Sequence, residues 1–227
     1  MARTVDLEVQ QAKRDAFLDV AQRLIQVRGY EEMSIQDVLD ELESSRGALY
    51  HYFASKQDLL DGVVERFADA AMAEVGPILD DNSQPALRKL EQFLSGIARF
   101  KAERKELVLA IMKVWMSDGN ALVRERLRQM SARQLGPILA AVIRQGVEEG
   151  VISSSAPEES ARVILYLLQG YQELAAEHFV ARQAGTISFA EVRRTYAAFT
   201  DAFERVLGIA SGSVKLVDDE TLRFWFG

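Results

Sequence analysis

The chain has 227 residues, 48% of them apolar, enough to bury a sizeable core in one or two domains. It carries a formal charge of −7 and no cysteine, so disulfides and thiolate metal sites are excluded and a broadly basic nucleic-acid coat is not expected. No apolar run approaches the ~20 residues that span a bilayer. The start MARTVDLEVQQAKRD has no hydrophobic signal core, so a cytoplasmic chain without a membrane role is expected.

Strand signals are scarce and helical spacing is continuous. A first helix is predicted from about Glu8 to Arg28, with Phe17, Val20, Ala21, Leu24 and Val27 inward. The residues before it read as a loose arm from which Arg3 can reach DNA, although a disordered tail is the simpler reading. The stretch Ser34 to Lys56, SIQDVLDELESSRGALYHYFASK, is the most informative. Ile35, Val38, Leu39 and Leu42 form one helical stripe, Ser34 is a good N-cap, and Asp37 stands three residues on, as in a capping box. Glu43-Ser44-Ser45 interrupts the stripe, and Ser44 or Ser45 can cap a second short helix over residues 46–53. Leu49 and Phe53 would anchor that helix inward and leave Arg46, Gly47, Tyr50 and His51 outside. Ser55 and Asp58 form another cap signature, with Lys56 in the first turn of the next helix, where a cation joins the helix N-terminus in attracting phosphate. Two short helices joined by a tight turn are the layout of a helix-turn-helix, which puts one helix in the major groove. Arg46, Gly47, Tyr50, His51 and Lys56 are therefore the candidate DNA contacts, with Ser45 beside them at the head of the second helix. Arg46 has the reach for phosphate or a guanine edge, and Tyr50, His51 and Lys56 for phosphate oxygens. Spacing alone also permits an ordinary helical corner with Tyr50 and Tyr52 half-buried.

Further helices are predicted from Ser55 to about Val75, where Gly76-Pro77 weakens or ends the run, and at about Pro85–Lys101 and Lys105–Met116. SDGN at Ser117–Asn120 breaks the chain. A long helix then spans about Ala121–Glu149, with a kink expected at Gly136-Pro137 and a stop at Gly150. Helices at about Pro157–Arg182 and Ser188–Leu207 close the body. The tail Gly208–Gly227 combines a flexible SGS, extended Val214, Leu216 and Val217, and a dense apolar end of Leu222, Phe224, Trp225 and Phe226. A wet tail rarely ends in three aromatics, so it is expected to dock on the body or on a second subunit. The fold class is all-α, with about nine helices: a small helix-turn-helix head at residues 1–54, a larger helical body at 55–208, and the tail at 209–227.

The segment GALYHYFASKQDLL, preceded by RGYEEMSIQDV, resembles the N-terminal domain of the TetR/AcrR family of transcriptional regulators. The shared pattern is Gly29-Tyr30 closing the first helix, Ser34 opening the second, Gly47-Ala48-Leu49-Tyr50 with Phe53 in the recognition helix, and Ser55-Lys56 opening the fourth. The likeness is strong over about residues 12–65 and extends beyond that only in helical layout and length. It implies a homodimeric repressor that a small molecule releases from a palindromic DNA operator, with no enzymatic activity. It places the DNA-facing positions at Ser34, Arg46, Gly47, Tyr50, His51 and Lys56 and makes Phe53 a core anchor. The last two helices would pair with their copies through Ile164, Leu167, Leu168, Tyr171, Leu174, Tyr196, Phe199 and Phe203. An effector pocket in the body would draw on Phe93, Phe100, Met112, Trp115, Met116, Tyr171 and His178, and the scarcity of polar groups among them points to an apolar or amphipathic effector. Two histidines are too few and too scattered for a metal site. No paired carboxylates, Ser-His-Asp set or glycine-rich phosphate loop stands out, so no enzyme and no cofactor are expected.

Two features depart from the family pattern. Glu43 and Ser44 stand where a glycine and an apolar residue are usual. The first 56 residues also hold seven cations against ten acids, a balance of −3. Sequence-independent affinity for DNA should therefore be weak, and an effector-binding or protein-interaction module with little DNA affinity is the alternative reading.

Overall fold

The computed structural model describes residues 2–81, 83–116 and 121–227. Among these there are ten helices and no strand: α1 (Ala2–Arg28), α2 (Ile35–Glu41), α3 (Arg46–Tyr52), α4 (Lys56–Asp80), α5 (Ala86–Glu103), α6 (Lys105–Trp115), α7 (Ala121–Glu148), α8 (Pro157–Gln183), α9 (Phe189–Leu207) and α10 (Asp219–Phe226). The all-α expectation holds. The predicted break at Ser117–Asn120 lies outside the described residues. The chain divides into two compact units, one of Met1–Ala70 with Arg104–Val123 and one of Ala71–Glu103 with Arg124–Gly227. The change of unit falls inside α4, and α6, which the sequence reading placed in the body, packs on α1 in the first unit.

Two helices run beyond their predicted bounds. The chain is helical from Ala2, so the segment read as a loose arm is the first turns of α1. α4 does not end at Gly76-Pro77 but continues to Asp80. Proline removes one N–H and crowds the carbonyl four residues back. Here Ala73, Glu74 and Pro77 are all exposed, so water can serve the Ala73 carbonyl while Val75 and Leu79 stay buried on the other side. α7 passes through Pro137 in the same way and stops, as predicted, before Gly150, which takes φ 72°.

In the first unit, α1 and α4 pack around Phe17, Leu18, Ala21, Ile25, Leu59, Leu60 and Val63, all buried. They approach so closely at Gly62 that a β-carbon there would stand 2.9 Å from Leu18 Cδ2 and 3.1 Å from Phe53 Cε1. Arg66 of α4 ties the pair together by donating to Asp19 Oδ1 at 2.7 Å and Gln22 Oε1 at 2.9 Å. α2 and α3 sit on this frame through Val38, Leu39, Leu49 and Phe53.

In the second unit the main core runs through α4, α5, α7, α8 and α9, with Val75, Leu90, Phe93, Leu139, Ile143, Ile164 and Phe203 at its centre. The Glu149 carboxylate, just past α7, caps α5 by accepting the Ala86 N–H at 3.0 Å. A second cluster joins α8, α9 and α10 through Tyr171, Val192, Tyr196, Leu222 and Phe226. The tail between α9 and α10 is not extended and loose. Val214 and Leu216 are buried in the main core, and the Val214 N–H donates to the buried Glu204 Oε1 at 3.2 Å. The Asp218 carboxylate then accepts the Thr221 N–H at 2.7 Å and starts α10, a helix the sequence reading did not predict. α10 packs on α8 and α9 through Leu222 and Phe226, one turn apart, and Arg182 Nε donates to the Phe226 carbonyl at 2.8 Å.

At the corner between α2 and α3, Glu43 takes φ 47°, and among the described residues no other non-glycine has positive φ. A β-carbon in this conformation costs about 1 kcal/mol relative to glycine. Glu43→Gly is therefore expected to raise stability by about 1 kcal/mol in a denaturant titration. A loss of stability would mean that the Glu43 side chain makes a compensating contact.

Candidate nucleic-acid interface

Three local devices shape the surface around α3. Ser34 and Asp37 form a full capping box at the start of α2: the Asp37 N–H donates to Ser34 Oγ at 3.1 Å, and the Ser34 N–H donates to Asp37 Oδ2 at 2.8 Å. Ser45, rather than Ser44, caps α3 by accepting the Ala48 N–H at 3.2 Å. Between them Glu43 makes the left-handed turn. α3 is only seven residues long, below the length at which a helix is stable alone, so its position comes from burial. Leu49 is 0% and Phe53 2% exposed. The Phe53 ring meets Phe17 edge-on at 6.4 Å and lies under the Arg14 guanidinium at 5.3 Å.

With that side buried, Arg46, Gly47, Tyr50 and His51 are all left exposed, and Tyr50 keeps half of its surface in solvent. His51 stands edge-on to Tyr52 at 4.8 Å. The structure thus places these four sequence-predicted residues on one open helix face. The remaining three are more constrained. The Ser34 hydroxyl donates to Asp37 Oδ2 at 2.6 Å, and the Ser45 hydroxyl holds the α3 cap, so both serve the backbone first. Lys56 is partly buried: its Nζ donates to the Glu31 carbonyl at 3.1 Å and lies 4.4 Å above the Tyr30 ring. The α4 N-terminus is also internally satisfied, because Ser55 Oγ accepts from the Asp58 N–H at 3.0 Å and Asp58 Oδ2 from the Ala54 N–H at 2.8 Å. Lys56 therefore clamps the corner between α1 and α2, a role the sequence reading missed.

Sequence reasoning also missed Gln36. It is exposed on α2, accepts from Arg46 Nη2 at 3.5 Å and donates to Asp40 Oδ1 at 2.6 Å. Its i, i+4 spacing to Asp40 was visible in the sequence; its nearness to Arg46 required the turn. Much of the positive charge in this unit is neutralised internally. Arg23 pairs with Glu41, Arg28 with Asp37 at 3.4 Å, and Arg66 with Asp19 at 2.7 Å. Among the described residues Arg46 makes no ion pair, which leaves it as an outward cation at the start of α3.

A capped helix, a left-handed turn and a second short helix pinned from behind make a helix-turn-helix head, the scaffold of a DNA-binding protein. Residues 17–63 match the family described as bacterial regulatory proteins, tetR family. The chain is 25% identical over 142 residues to the HTH-type transcriptional repressor KstR2 of Mycobacterium tuberculosis, covering 61% of this chain and 68% of that one. It is 25% identical over 144 residues to the repressor DhaR of a Mycobacterium species, covering 63% and 72%. A solved TetR transcription regulator from Haloarcula marismortui shares the fold, with a TM-score of 0.61 at 22% identity over 85% of this chain and 98% of that one. Residues 17–63 therefore form a TetR-type helix-turn-helix domain, and the similar repressors support a DNA-binding transcriptional regulator of that family. Among the described residues no helix is long and apolar enough to cross a membrane.

Three of the eight residues expected at a dimer face need correction. Ile164, Tyr196 and Phe203 are 1–2% exposed within a single chain, so they are core and offer nothing to a second copy. Leu167, Leu168 and Phe199 pack against the main core, and Tyr171 and Leu174 are also half-buried. The outward face of α8 carries Val163, Tyr166 and Val180, each about half exposed. The seven effector-pocket candidates are divided as well. Met112, Trp115 and Met116 belong to the first unit, and the Trp115 side chain lies outside the described residues. Phe93, Phe100, Tyr171 and His178 belong to the second unit, where Phe93 is in the main core and Tyr171 in the separate α8–α9–α10 cluster. None of the seven lines the open groove of about 550 Å³ between α7 and α8, which is lined by the buried Ala140 and Leu165 and by Pro137, Arg144, Glu158 and Arg162. They were chosen by residue type, and type does not say which helix face a side chain occupies.

The Ser34 hydroxyl, then its backbone N–H, hold the Asp37 carboxyl below the ordinary 3.8. A depressed carboxyl adds stability above the ordinary value and loses it as pH falls through the lowered one. Ser34→Ala is expected to cost about 1 kcal/mol at neutral pH, and the part of that loss carried by the Asp37 carboxylate is expected to fade at an acid pH below its lowered value, where Asp37 is protonated. Urea titrations at the two pH values measure this, and a gap independent of pH would rule out the carboxylate's part in the cap.

Proposed function

We propose that this regulator is a cytoplasmic homodimeric repressor that binds a palindromic operator and is released by a small apolar or amphipathic effector. The observation that carries this reading is the open face of α3. Arg46, Gly47, Tyr50 and His51 stand together in solvent on a helix whose other side is anchored by Leu49 and Phe53. Gly47 lets the backbone approach the duplex, since a β-carbon there would have only Ser45 Oγ within 4 Å, at 3.9 Å. Arg46 supplies a two-pronged donor for a guanine edge or a phosphate, and Tyr50 and His51 hydrogen-bond phosphate. Lys56 acts by holding the corner beneath them. The relatives named repressors support the sign of regulation. A two-fold dimer would repeat the α3 face about one helical turn away, ~34–36 Å. The exposed Val163 and Tyr166 on α8 support a pairing face there. α4 contributes residues to both units, which suits it to carry an effector's influence to the head.

The acidic balance of the head and its internally paired arginines favour a second reading, a module that binds effector or protein with little affinity for DNA. Selection from random duplexes separates the two: the repressor reading expects an enriched palindrome, and failure to enrich one would favour the module. On the enriched site, Arg46→Ala is expected to lose about 1–3 kcal/mol and to relax preference at one base pair of each half-site. The salt dependence of binding should be shallow. A log–log slope as steep as about −10 would mean that broad phosphate neutralisation, rather than a few directed contacts, supplies the affinity. Tyr166→Asp is expected to shift the chain from dimer to monomer in sedimentation while leaving its helicity intact; an unchanged dimer would place the pairing face elsewhere.

A further inference from the structure

Two buried side-chain polar atoms among the described residues have no hydrogen-bond partner, His178 Nδ1 and Tyr196 Oη. They lie in one place. The two rings are 6.0 Å apart and nearly perpendicular, Tyr171 stands edge-on to Tyr196 at 4.8 Å, and Phe226 of α10 lies 5.5 Å from Tyr196 on another side. Buried polar atoms in native proteins are almost always paired, by protein, water or a bound molecule. This chain follows the rule elsewhere, as where the buried Glu204 takes the Val214 N–H. Neighbouring groups that could have served the orphans are committed. The Glu191 carboxylate caps α9 by accepting the Ser188 N–H at 2.7 Å and its hydroxyl at 2.8 Å, and Arg182 donates to the carbonyls of Phe226 and Ile187 at 2.8 and 3.0 Å.

We infer that His178 and Tyr196 form a ligand site between α8 and α9, roofed by α10, for an uncharged and largely apolar molecule carrying one hydroxyl or carbonyl oxygen. The walls are aromatic faces and edges, which suit a flat apolar body. A single hydroxyl can donate to one orphan and accept from the other. Arg182 spends Nε and Nη1 on backbone carbonyls and the Glu191 carboxylate caps α9, so the two orphan atoms are the polar groups left for a ligand. Burial pushes the phenols of Tyr171 and Tyr196 upward, so both remain neutral hydroxyls at physiological pH. α10 is a short lid on a tail segment, held by the Leu222 and Phe226 contacts, the Arg182–Phe226 hydrogen bond and an Arg193–Asp219 ion pair of 3.2 Å. Entry of the ligand lifts or tilts it. This builds on the effector reading by naming a site, a ligand class and a moving part, and its test involves no DNA, so its failure leaves the operator reading standing.

The test compares 2-naphthol with naphthalene on the full chain by calorimetry, with 19F NMR of 5-fluorotryptophan reporting on α10. The chain has two tryptophans, and the Trp225 resonance is assigned by its loss in Trp225→Phe. 2-Naphthol is expected to bind roughly tenfold more tightly than naphthalene, the worth of one net hydrogen bond, and to shift the Trp225 resonance. Tyr196→Phe, which keeps the ring, should erase most of that preference. Equal affinity for the two probes, a preference unchanged in Tyr196→Phe, or no binding of 2-naphthol with an ordered water alone on the two orphans would each overturn the inference. Should Tyr196→Phe fold poorly, the wild-type comparison of the two probes decides alone.

Discussion

The head depends on one burial, that of Phe53 against α1 and α4. α3 has seven residues and no means of holding itself helical in water. Its Ser45 cap satisfies one amide, and the rest of its order comes from Leu49 and Phe53 being driven into the unit. Phe53 fits because Gly62 presents no side chain there and because Phe17 and the Arg14 guanidinium close on its ring. The exposure of Arg46, Gly47, Tyr50 and His51 follows from that insertion: on a helix of two turns, fixing one side inward leaves the other outward. A regulator needs this rigidity, since a recognition helix that frayed would have to be ordered by the duplex at the cost of affinity.

Electrostatics sets how this surface works. An acidic head repels phosphate at long range, so it cannot rely on the counterion release that drives generic binding. The structure sharpens the point by neutralising Arg23, Arg28 and Arg66 within the unit, while Arg46 remains outward beside Gln36 and Asp40. Lys56 is drawn back onto Tyr30 and the Glu31 carbonyl, where its charge supports the corner. Glu43 adds a carboxylate beside the start of α3 and holds a left-handed turn at the same residue. Such a surface disfavours indiscriminate contact and rests on a few directed groups.

The second unit separates two tasks that a list of apolar residues runs together. Its main core, with Phe93, Ile164 and Phe203, is packed for stability. The α8–α9–α10 cluster is aromatic, smaller, and the one place among the described residues where buried side-chain polar atoms go unpaired. The tail belongs to both: Val214 and Leu216 enter the main core, while Leu222 and Phe226 complete the aromatic cluster.

The all-α class, most helix ends, the capping box at Ser34 and the inward pair Leu49 and Phe53 were legible in the sequence, because each depends on residues within a turn or two of one another. The four exposed positions of α3 were legible for the same reason. α10 could have been found from its Asp218 cap and the spacing of Leu222 and Phe226, but a run of aromatics obscured that signal. Tertiary structure alone decided the rest. It pulled Lys56 onto Tyr30, brought Gln36 to Arg46, and buried Ile164, Tyr196 and Phe203 where a pairing face was expected. It also carried α4 past Pro77 and left His178 and Tyr196 unpaired. Periodicity shows that a helix has an apolar side, but the partner packed against that side comes from distant sequence, and only the fold decides whether it is the chain's own core, a second copy or a ligand.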